Sequence, residues 1–285
     1  MTNKLETIAY QGEPGSFSEQ AAQQFFGKRA ALNPLATFAE VFAYVDNHSG
    51  TLGIVPIENS LYGSIHQVYD LLLRHKLSII GELKLRIELH LMALPGTTLK
   101  ALETVYSQSQ ALGQCEDFLR TLDAVKIEAV HDTAGAARLV REHRRHDAAA
   151  IASERASKAH GLHILKRNVE SDHRNFTRFI ALSCKAVQPH GKVKTSMVFA
   201  AKNIPGALFK ALAVFALRDI NLLKIESRPL VGKPWEYLFY LDVEGAPEQD
   251  PLRQALKHLK EVCTFVRLLG SYRPFEAAAK VSHKN

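Results

Sequence analysis

Three times within the first seventy residues, a hydroxyl side chain stands three positions ahead of Glu or Gln and opens an apolar stripe of helical spacing. The segments are Ser16-Phe-Ser-Glu19, Thr37-Phe-Ala-Glu40 and Ser64-Ile-His-Gln67. Each reads as a capping box, in which the hydroxyl and the carboxylate or amide satisfy amides at the helix start. Short apolar runs lie between such starts, among them Leu52-Gly-Ile-Val-Pro56, bounded by Gly and Pro and therefore read as a buried strand. The pattern continues with Thr104–Tyr106 before a helix over 111–122, Val125–Val130 before Thr133–Glu142, and Ala148–Ala152 before Glu154–Ala159 with Gly161 as its stop. Strand followed by helix, repeated, predicts open α/β sheets with ligands at the carboxyl ends of the strands.

Two stretches depart from that rhythm. From Leu83 to Leu91 apolar and polar residues alternate strictly, which predicts one strand with a wet face. After the strand Phe179–Leu182, the polar break Pro189-His-Gly-Lys192 reads as a linker. Beyond it the predicted order is a strand at Thr195–Ala200, a helix at Ala207–Leu217 with Leu208, Leu212 and Phe215 on one face, strands at Leu222–Ser227 and Tyr237–Asp242, a helix at Pro251–Lys260, and a strand at Phe265–Leu269. That is a βαββαβ unit.

Composition excludes several classes. The longest apolar run, Ala211–Leu217, is far shorter than the ~18 residues of a membrane span, and the start lacks the apolar core of a signal peptide, so a cytoplasmic protein is expected. Cys115, Cys184 and Cys263 are odd in number and far apart, which favours reduced thiols over a disulfide framework or thiolate metal site. The net charge of +7 is not gathered into a basic run and no groove-reading motif accompanies it, so no nucleic-acid surface is expected. The pairs His143/His146 and His160/His163 have helical metal spacing, but neither has a further ligand nearby, and Arg144 and Arg145 would repel a cation. No dinucleotide or P-loop glycine motif is present. Neither metal nor cofactor is expected.

Polar residues that can carry chemistry cluster at strand-to-helix junctions. The loop Tyr10-Gln-Gly-Glu-Pro-Gly-Ser16 precedes a capped helix whose amides can take an anion; the same pattern also suits a plain turn. Glu58, Asn59 and Ser60 follow the strand at 52–56, where an α/β fold builds sites, although Asn59 and Ser60 could equally just fix the turn. Ser107 and Gln114 flank the next junction, Gln114 either turned inward or half exposed. In Asn175-Phe-Thr-Arg-Phe179, strand alternation puts Asn175, Thr177 and Phe179 on one face, and Arg178 offers a carboxylate-binding fork.

Together these segments resemble prephenate dehydratase. Ala9-Tyr-Gln-Gly-Glu-Pro-Gly-Ser-Phe-Ser18, Gly53-Ile-Val-Pro-Ile-Glu-Asn-Ser60 and Asn175-Phe-Thr-Arg-Phe179 are similar to the family's three signatures, and the later part resembles an ACT regulatory domain. The resemblance implies a two-lobed catalytic domain like a type 2 periplasmic binding protein over 5–186, with lobes 5–82 plus 170–186 and 83–169, and a ferredoxin-like ACT domain over 193–275. It implies a cofactor-free loss of water and CO2 from prephenate, giving phenylpyruvate. Thr177, Glu58, Asn59 and Gln114 are then the expected catalytic residues, with Ser107, Arg178, Asn175, Ser60 and Phe179 binding substrate. Phenylalanine is the expected inhibitor, held by Pro205, Gly206, Ala207 and Leu208 with Glu226, Ser227, Arg228 and Pro229 in a homodimer or homotetramer paired through ACT domains. Arogenate dehydration and a non-catalytic small-molecule sensor are the alternatives.

Overall fold

The computed structural model describes residues 6–230, 232 and 236–275. Packing divides the chain into two units, Met1–His75 with Leu83–Phe179 and Lys76–Glu82 with Ile180–Asn285.

The first unit opens with the expected alternation: β1 (Thr7–Gln11), α1 (Phe17–Phe26), β2 (Ala31–Leu35), α2 (Phe38–Asn47) and β3 (Leu52–Asn59). A two-residue strand β4 (Gly63–Ser64) precedes α3 (His66–Arg74). Ser16 accepts the Glu19 amide and Thr37 completes a full capping box with Glu40. The third expected box does not form: Ser64 pairs with Glu58 across the β3–β4 hairpin, and α3 starts at Ile65 without a side-chain cap. The hairpin takes the segment that the box would have used.

The alternating stretch is two strands rather than one. β5 (Ser78–Arg86) ends before Ile87, and β6 (His90–Ala93) belongs to another sheet. The residues between them cross over beside the returning chain: Ile87 N–H donates to the Asn175 carbonyl and Val169 N–H to the Leu89 carbonyl, both at 2.8 Å. The buried Glu170 carboxylate accepts the Leu89 amide at 3.0 Å. Alternation persists across a crossover because each backbone segment still has one face inward, so it cannot report where pairing changes sheets.

Then come β7 (Thr104–Gln108), α4 (Ser109–Gln114), α5 (Glu116–Leu119), β8 (Lys126–Val130), α6 (Thr133–Glu142), β9 (Ala148–Ala152), α7 (Glu154–His160), β10 (His163–Lys166) and β11 (Phe176–Ser183). The single helix expected over 111–122 is broken at Cys115. There Ser171 takes both neighbouring backbone groups, its amide donating to the Gln114 carbonyl at 2.7 Å and its hydroxyl accepting from the Asp117 amide at 3.4 Å. One sheet runs β2-β1-β3-β11-β5 with β4 on β3, the other β10-β6-β9-β7-β8. In the second, all five residues of β9 are buried, and Ala148, Ala150 and Ala152 pack against Ala136, Ala137 and Val140 of α6, small side chains that let helix and sheet approach closely.

The second unit holds β12 (Lys194–Ala201), α8 (Ala207–Ala216), β13 (Leu222–Pro229), β14 (Tyr237–Glu244), α9 (Leu252–Val262) and β15 (Cys263–Tyr272), the expected βαββαβ order in an antiparallel sheet β13-β14-β12-β15. Met197, Phe199, Leu241 and Val243 pack on Ala211, Phe215, Leu252 and Leu259 of the helices. The buried face of α8 is Ala207, Ala211, Val214 and Phe215, while Leu208 is exposed, a correction to the expected stripe. On the other sheet face, Lys194 Nζ meets Glu82 Oε2 of β5 at 2.5 Å and Asp242 Oδ2 at 3.5 Å, all three buried, with Ser196 donating to Asp242 at 2.5 Å. Close by, β15 approaches β5 so tightly that a Cβ on Gly270 would stand 2.1 Å from the Ile79 carbonyl oxygen.

Two stability measurements follow. Lys194→Met strands two buried carboxylates and should cost about 3 to 5 kcal/mol by denaturant titration, whereas adding Glu82→Gln should recover part of the loss; an unchanged midpoint in the single variant would contradict the network. His90 is 3% exposed and accepts the Asn168 amide at Nδ1, 3.1 Å away. Burial, then Arg167, lowers its pKa. The unfolded imidazole, near ~6.5, therefore takes a proton first, so this contribution to stability is complete above that value and is lost as pH falls through it toward the folded pKa. His90→Asn should flatten the decline in stability between about pH 7 and pH 5; a slope equal to that of the wild type would remove His90 from the account.

Candidate active site

The two sheets of the first unit face each other across a cleft of about 550 Å³. Its walls are the places where strands end and helices begin. Gln11, Gly12, Ser16, Phe17 and Ser18 come from the β1–α1 turn, and Thr37 and Phe38 from the start of α2. The second sheet contributes Gln108, Gln110 and Gln114 around α4, and His131, Asp132 and Thr133 at the start of α6. Ile87, Leu89 and Phe179 supply an apolar floor near the crossovers. The first amides of a helix lack intrahelical acceptors and sit at the positive end of its dipole, a chemistry suited to anions without cationic side chains. Among the described lining residues there is no Lys or Arg.

Asn59 and Thr177 are the centre of the polar wall. The Asn59 side-chain oxygen accepts the amides of Leu61 at 2.9 Å and Tyr62 at 3.1 Å. That fixes which end of the amide is which, so the NH2 group faces the other way. It donates to Asn175 Oδ1 at 2.8 Å and to Thr177 Oγ1 at 3.0 Å. A hydroxyl whose oxygen is already accepting keeps its proton for another partner. Thr177 and Phe179 of β11 both line the cleft, as period-two alternation requires.

The remaining expected residues are placed differently. Glu58 and Arg178 do not line the cleft; they pair with each other, Oε2 to Nε at 3.2 Å, on the neighbouring strands β3 and β11. Glu58 is the penultimate residue of β3 rather than part of a following loop, and Arg178 points to the face opposite Thr177. Ser60 is a latch, since its hydroxyl donates to the Arg174 carbonyl at 2.8 Å and accepts the Phe176 amide at 2.9 Å. Ser107 is fully buried and its hydroxyl donates to the Ile151 carbonyl of β9 at 2.6 Å. Asn175 is also fully buried and serves Asn59. Gln114 lines the cleft.

Residue reading missed Thr37, Phe38, Tyr62 and Asp132 as wall residues. The signal was available for Asp132, because Asp-Thr after an apolar run is a helix N-terminus of the same kind as Ser16 and Thr37. Tyr62 reaches across the cleft, its hydroxyl donating to the Gln110 carbonyl at 3.3 Å. The two lobes also meet at Gly15, where a Cβ would lie 2.7 Å from Ala156 Cα and where Ser153 donates to the Gly15 carbonyl at 2.6 Å. Glycine is required there by that approach and by its φ of +91°.

In the second unit Gly206, at φ 77°, begins α8 without a side-chain cap. Glu226 to Pro229 form the second half of edge strand β13, which runs on past the expected end at Ser227 to Pro229. Register aligns Ala200 of β12 with Leu238 of β14 and Leu238 with Arg228 of β13, so both segments lie at one end of the sheet with β14 between. Among the described residues no group of three or more His, Cys, Asp or Glu could hold a metal ion.

Comparison with known proteins agrees with this architecture. A prephenate dehydratase family model matches residues 8–187 and an ACT domain model residues 195–261. The Arabidopsis thaliana protein named arogenate dehydratase/prephenate dehydratase 2, chloroplastic, is 46% identical over 276 residues, 93% of this chain and 72% of that protein. The crystal structure of prephenate dehydratase from Arthrobacter aurescens in complex with L-Phe is 29% identical with a TM-score of 0.86, covering 94% of this chain and 89% of that one. A structure described as GqqA, a novel type of quorum quenching acylases, is 35% identical with a TM-score of 0.87, covering 95% and 98%.

Proposed function

We propose, from the premise that the chain belongs to the prephenate dehydratase family and carries an ACT domain, that it converts prephenate to phenylpyruvate, water and CO2 and is inhibited by phenylalanine. The observation that carries the mechanism is the hydrogen bond from Asn59 to Thr177 Oγ1. It leaves the Thr177 proton to be donated toward the departing ring hydroxyl. Formation of the aromatic ring and release of CO2 drive the reaction, so the protein has to orient a dianion, assist the leaving group and shield the ring. A threonine hydroxyl is a weak acid, so its role is a directed hydrogen bond that strengthens as charge builds on the leaving oxygen.

In this reading the amides at the starts of α1 and α2 receive the substrate carboxylates, and Phe179, Ile87 and Leu89 hold the ring. Gln114 orients the substrate from the second lobe. Glu58 with Arg178, Ser60, Ser107 and Asn175 act by holding β3, β11, β7 and the hairpin in place. The division into a catalytic domain over 5–186 and a regulatory domain over 193–275 belongs to the same proposal. The one-strand separation of Gly206 from Glu226–Pro229 supports an effector site completed by a second chain, hence pairing through ACT domains as a homodimer or homotetramer. A cytoplasmic location is supported by three free cysteines, one of them exposed, which suit a reducing compartment.

The arogenate reading has support in the 46% identical relative named for both substrates. Two predictions test the main one. Thr177→Ala should lower turnover of prephenate about ~100-fold. Asn59→Asp keeps an acceptor for Leu61 and Tyr62 but turns the Thr177 hydroxyl inward to donate to the new carboxylate; turnover should fall by a similar factor with the thermal midpoint nearly kept. Near wild-type turnover in Asn59→Asp would refute the role given to this hydrogen bond. For regulation, Gly206→Val, which forces a β-branched residue toward positive φ, should raise the phenylalanine concentration for half-inhibition at least ~10-fold without changing basal rate; equal sensitivity would place the effector elsewhere.

A further inference from the structure

Gly12 and Ser16 of the β1–α1 turn line the cleft, and the residues between them are held from the other lobe by α7. Ser153, the N-cap of α7, donates to the Gly15 carbonyl at 2.6 Å. Two residues on, Arg155 reaches across to α1. Its Nη2 donates to Glu19 Oε1 at 3.0 Å, and its Nη1 to Gln23 Oε1, one turn further along, at 3.1 Å. The second Glu19 oxygen accepts the Gly15 amide at 2.5 Å. A chain of hydrogen bonds thus runs from α7 through one carboxylate to the backbone of the turn.

That carboxylate poses an electrostatic problem. In the first turn of α1, Glu19 faces the positive end of the helix dipole, the feature that suits this turn to a substrate carboxylate. Left alone, its charge would offset the dipole and repel a dianion. Glu40 holds the equivalent place in α2, where it accepts the Ala36 and Thr37 amides at 2.8 and 3.1 Å. It is exposed, however, and water screens it. The Glu19 side chain is only 14% exposed, so its field reaches farther. Arg155, 32% exposed, stands beside it as the compensating charge. Arg138 and Glu13 also pair between the lobes at 2.8 Å, but they are 44% and 33% exposed and Arg138 is shared with Glu142. Solvent does most of the screening there.

We infer that Arg155 is a positioning residue for substrate binding: by neutralising Glu19 it leaves the start of α1 able to receive a carboxylate of the dianion. The inference rests on the function proposed above and deepens it. Arg155 touches no reacting atom and acts through Glu19 and the Gly15 amide. A residue of one lobe thereby sets the charge of the anion site on the other.

Purified full chains are assayed on prephenate at about pH 8, where a carboxylate stays ionised, with thermal melts to verify folding. Arg155→Met should raise KM ~10-fold or more with kcat within ~3-fold, the pattern of binding lost equally in ground and transition states. Arg155→Gln, which keeps a donor without the charge, should do the same. Arg155→Lys keeps the charge and loses the planar fork onto Gln23, so its KM should stay within ~3-fold of wild type. Adding Glu19→Gln to Arg155→Met should bring KM back to within ~3-fold, because the uncompensated carboxylate is gone. A merely structural pair would lose the same bond in the double variant as in the single one and show no recovery. Arg138→Met, which removes the exposed pair between the lobes, should change KM by less than ~3-fold. An unchanged KM in Arg155→Met, a fall in kcat alone, a double variant no better than the single one, or an equal rise in Arg138→Met would overturn the inference while leaving the proposed function in place. A wild-type chain that makes no phenylpyruvate from prephenate would bring down that function, and this inference with it.

Discussion

The Asn59 side chain joins three stretches of chain that are far apart in sequence. Its oxygen closes the hairpin through the Leu61 and Tyr62 amides, and its nitrogen reaches Asn175 and Thr177 more than one hundred residues away. An amide can do this because it presents an acceptor and a donor in one rigid plane. A carboxylate would offer acceptors only and a hydroxyl is too short to span both. The same contact that fixes the turn therefore also fixes the direction in which the Thr177 proton points, and the apolar floor and helix starts are arranged around that direction.

The α/β architecture makes the rest of the site inexpensive in charge. Strands ending at one edge deliver helix starts to a common cleft, and in the proposed function their first amides take the substrate carboxylates without burying cations, whose desolvation would be costly. Arg178 of β11 is buried against Glu58 beside Thr177, and the other buried charges lie farther off: Lys194 with Glu82 and Asp242, and Glu170 at the crossover. In both places a buried ionic group holds strands that leave one part of the fold for another.

Much of this was legible in the residues. Ser16 and Thr37 announced helix starts because a cap is a local device, and Thr133–Glu142 and Ala148–Ala152 fell where periodicity put them. The crossover at Ile87–Leu89 was not legible, since alternation survives a change of sheet. Nor was the helix break at Cys115, which depends on Ser171, or the hairpin that claims Ser64, because these are long-range pairings. At the site, alternation correctly grouped Thr177 with Phe179. Glu58 and Arg178 look like cleft residues by type, yet they form an ion pair with each other and neither is among the cleft's lining residues; sequence spacing cannot show a pairing between strands that become neighbours only in the folded sheet.

The claim on which the account turns is that a proton shared by Thr177 moves toward the leaving hydroxyl in the bond-breaking step. Single-turnover conversion of prephenate in H2O and in D2O measures this directly, free of product release. The account predicts a slower reaction in D2O by a factor of about 2 with a linear proton inventory, the signature of one positioned donor, and loss of that effect in Thr177→Val. Equal rates in the two solvents with the wild-type chain would contradict it.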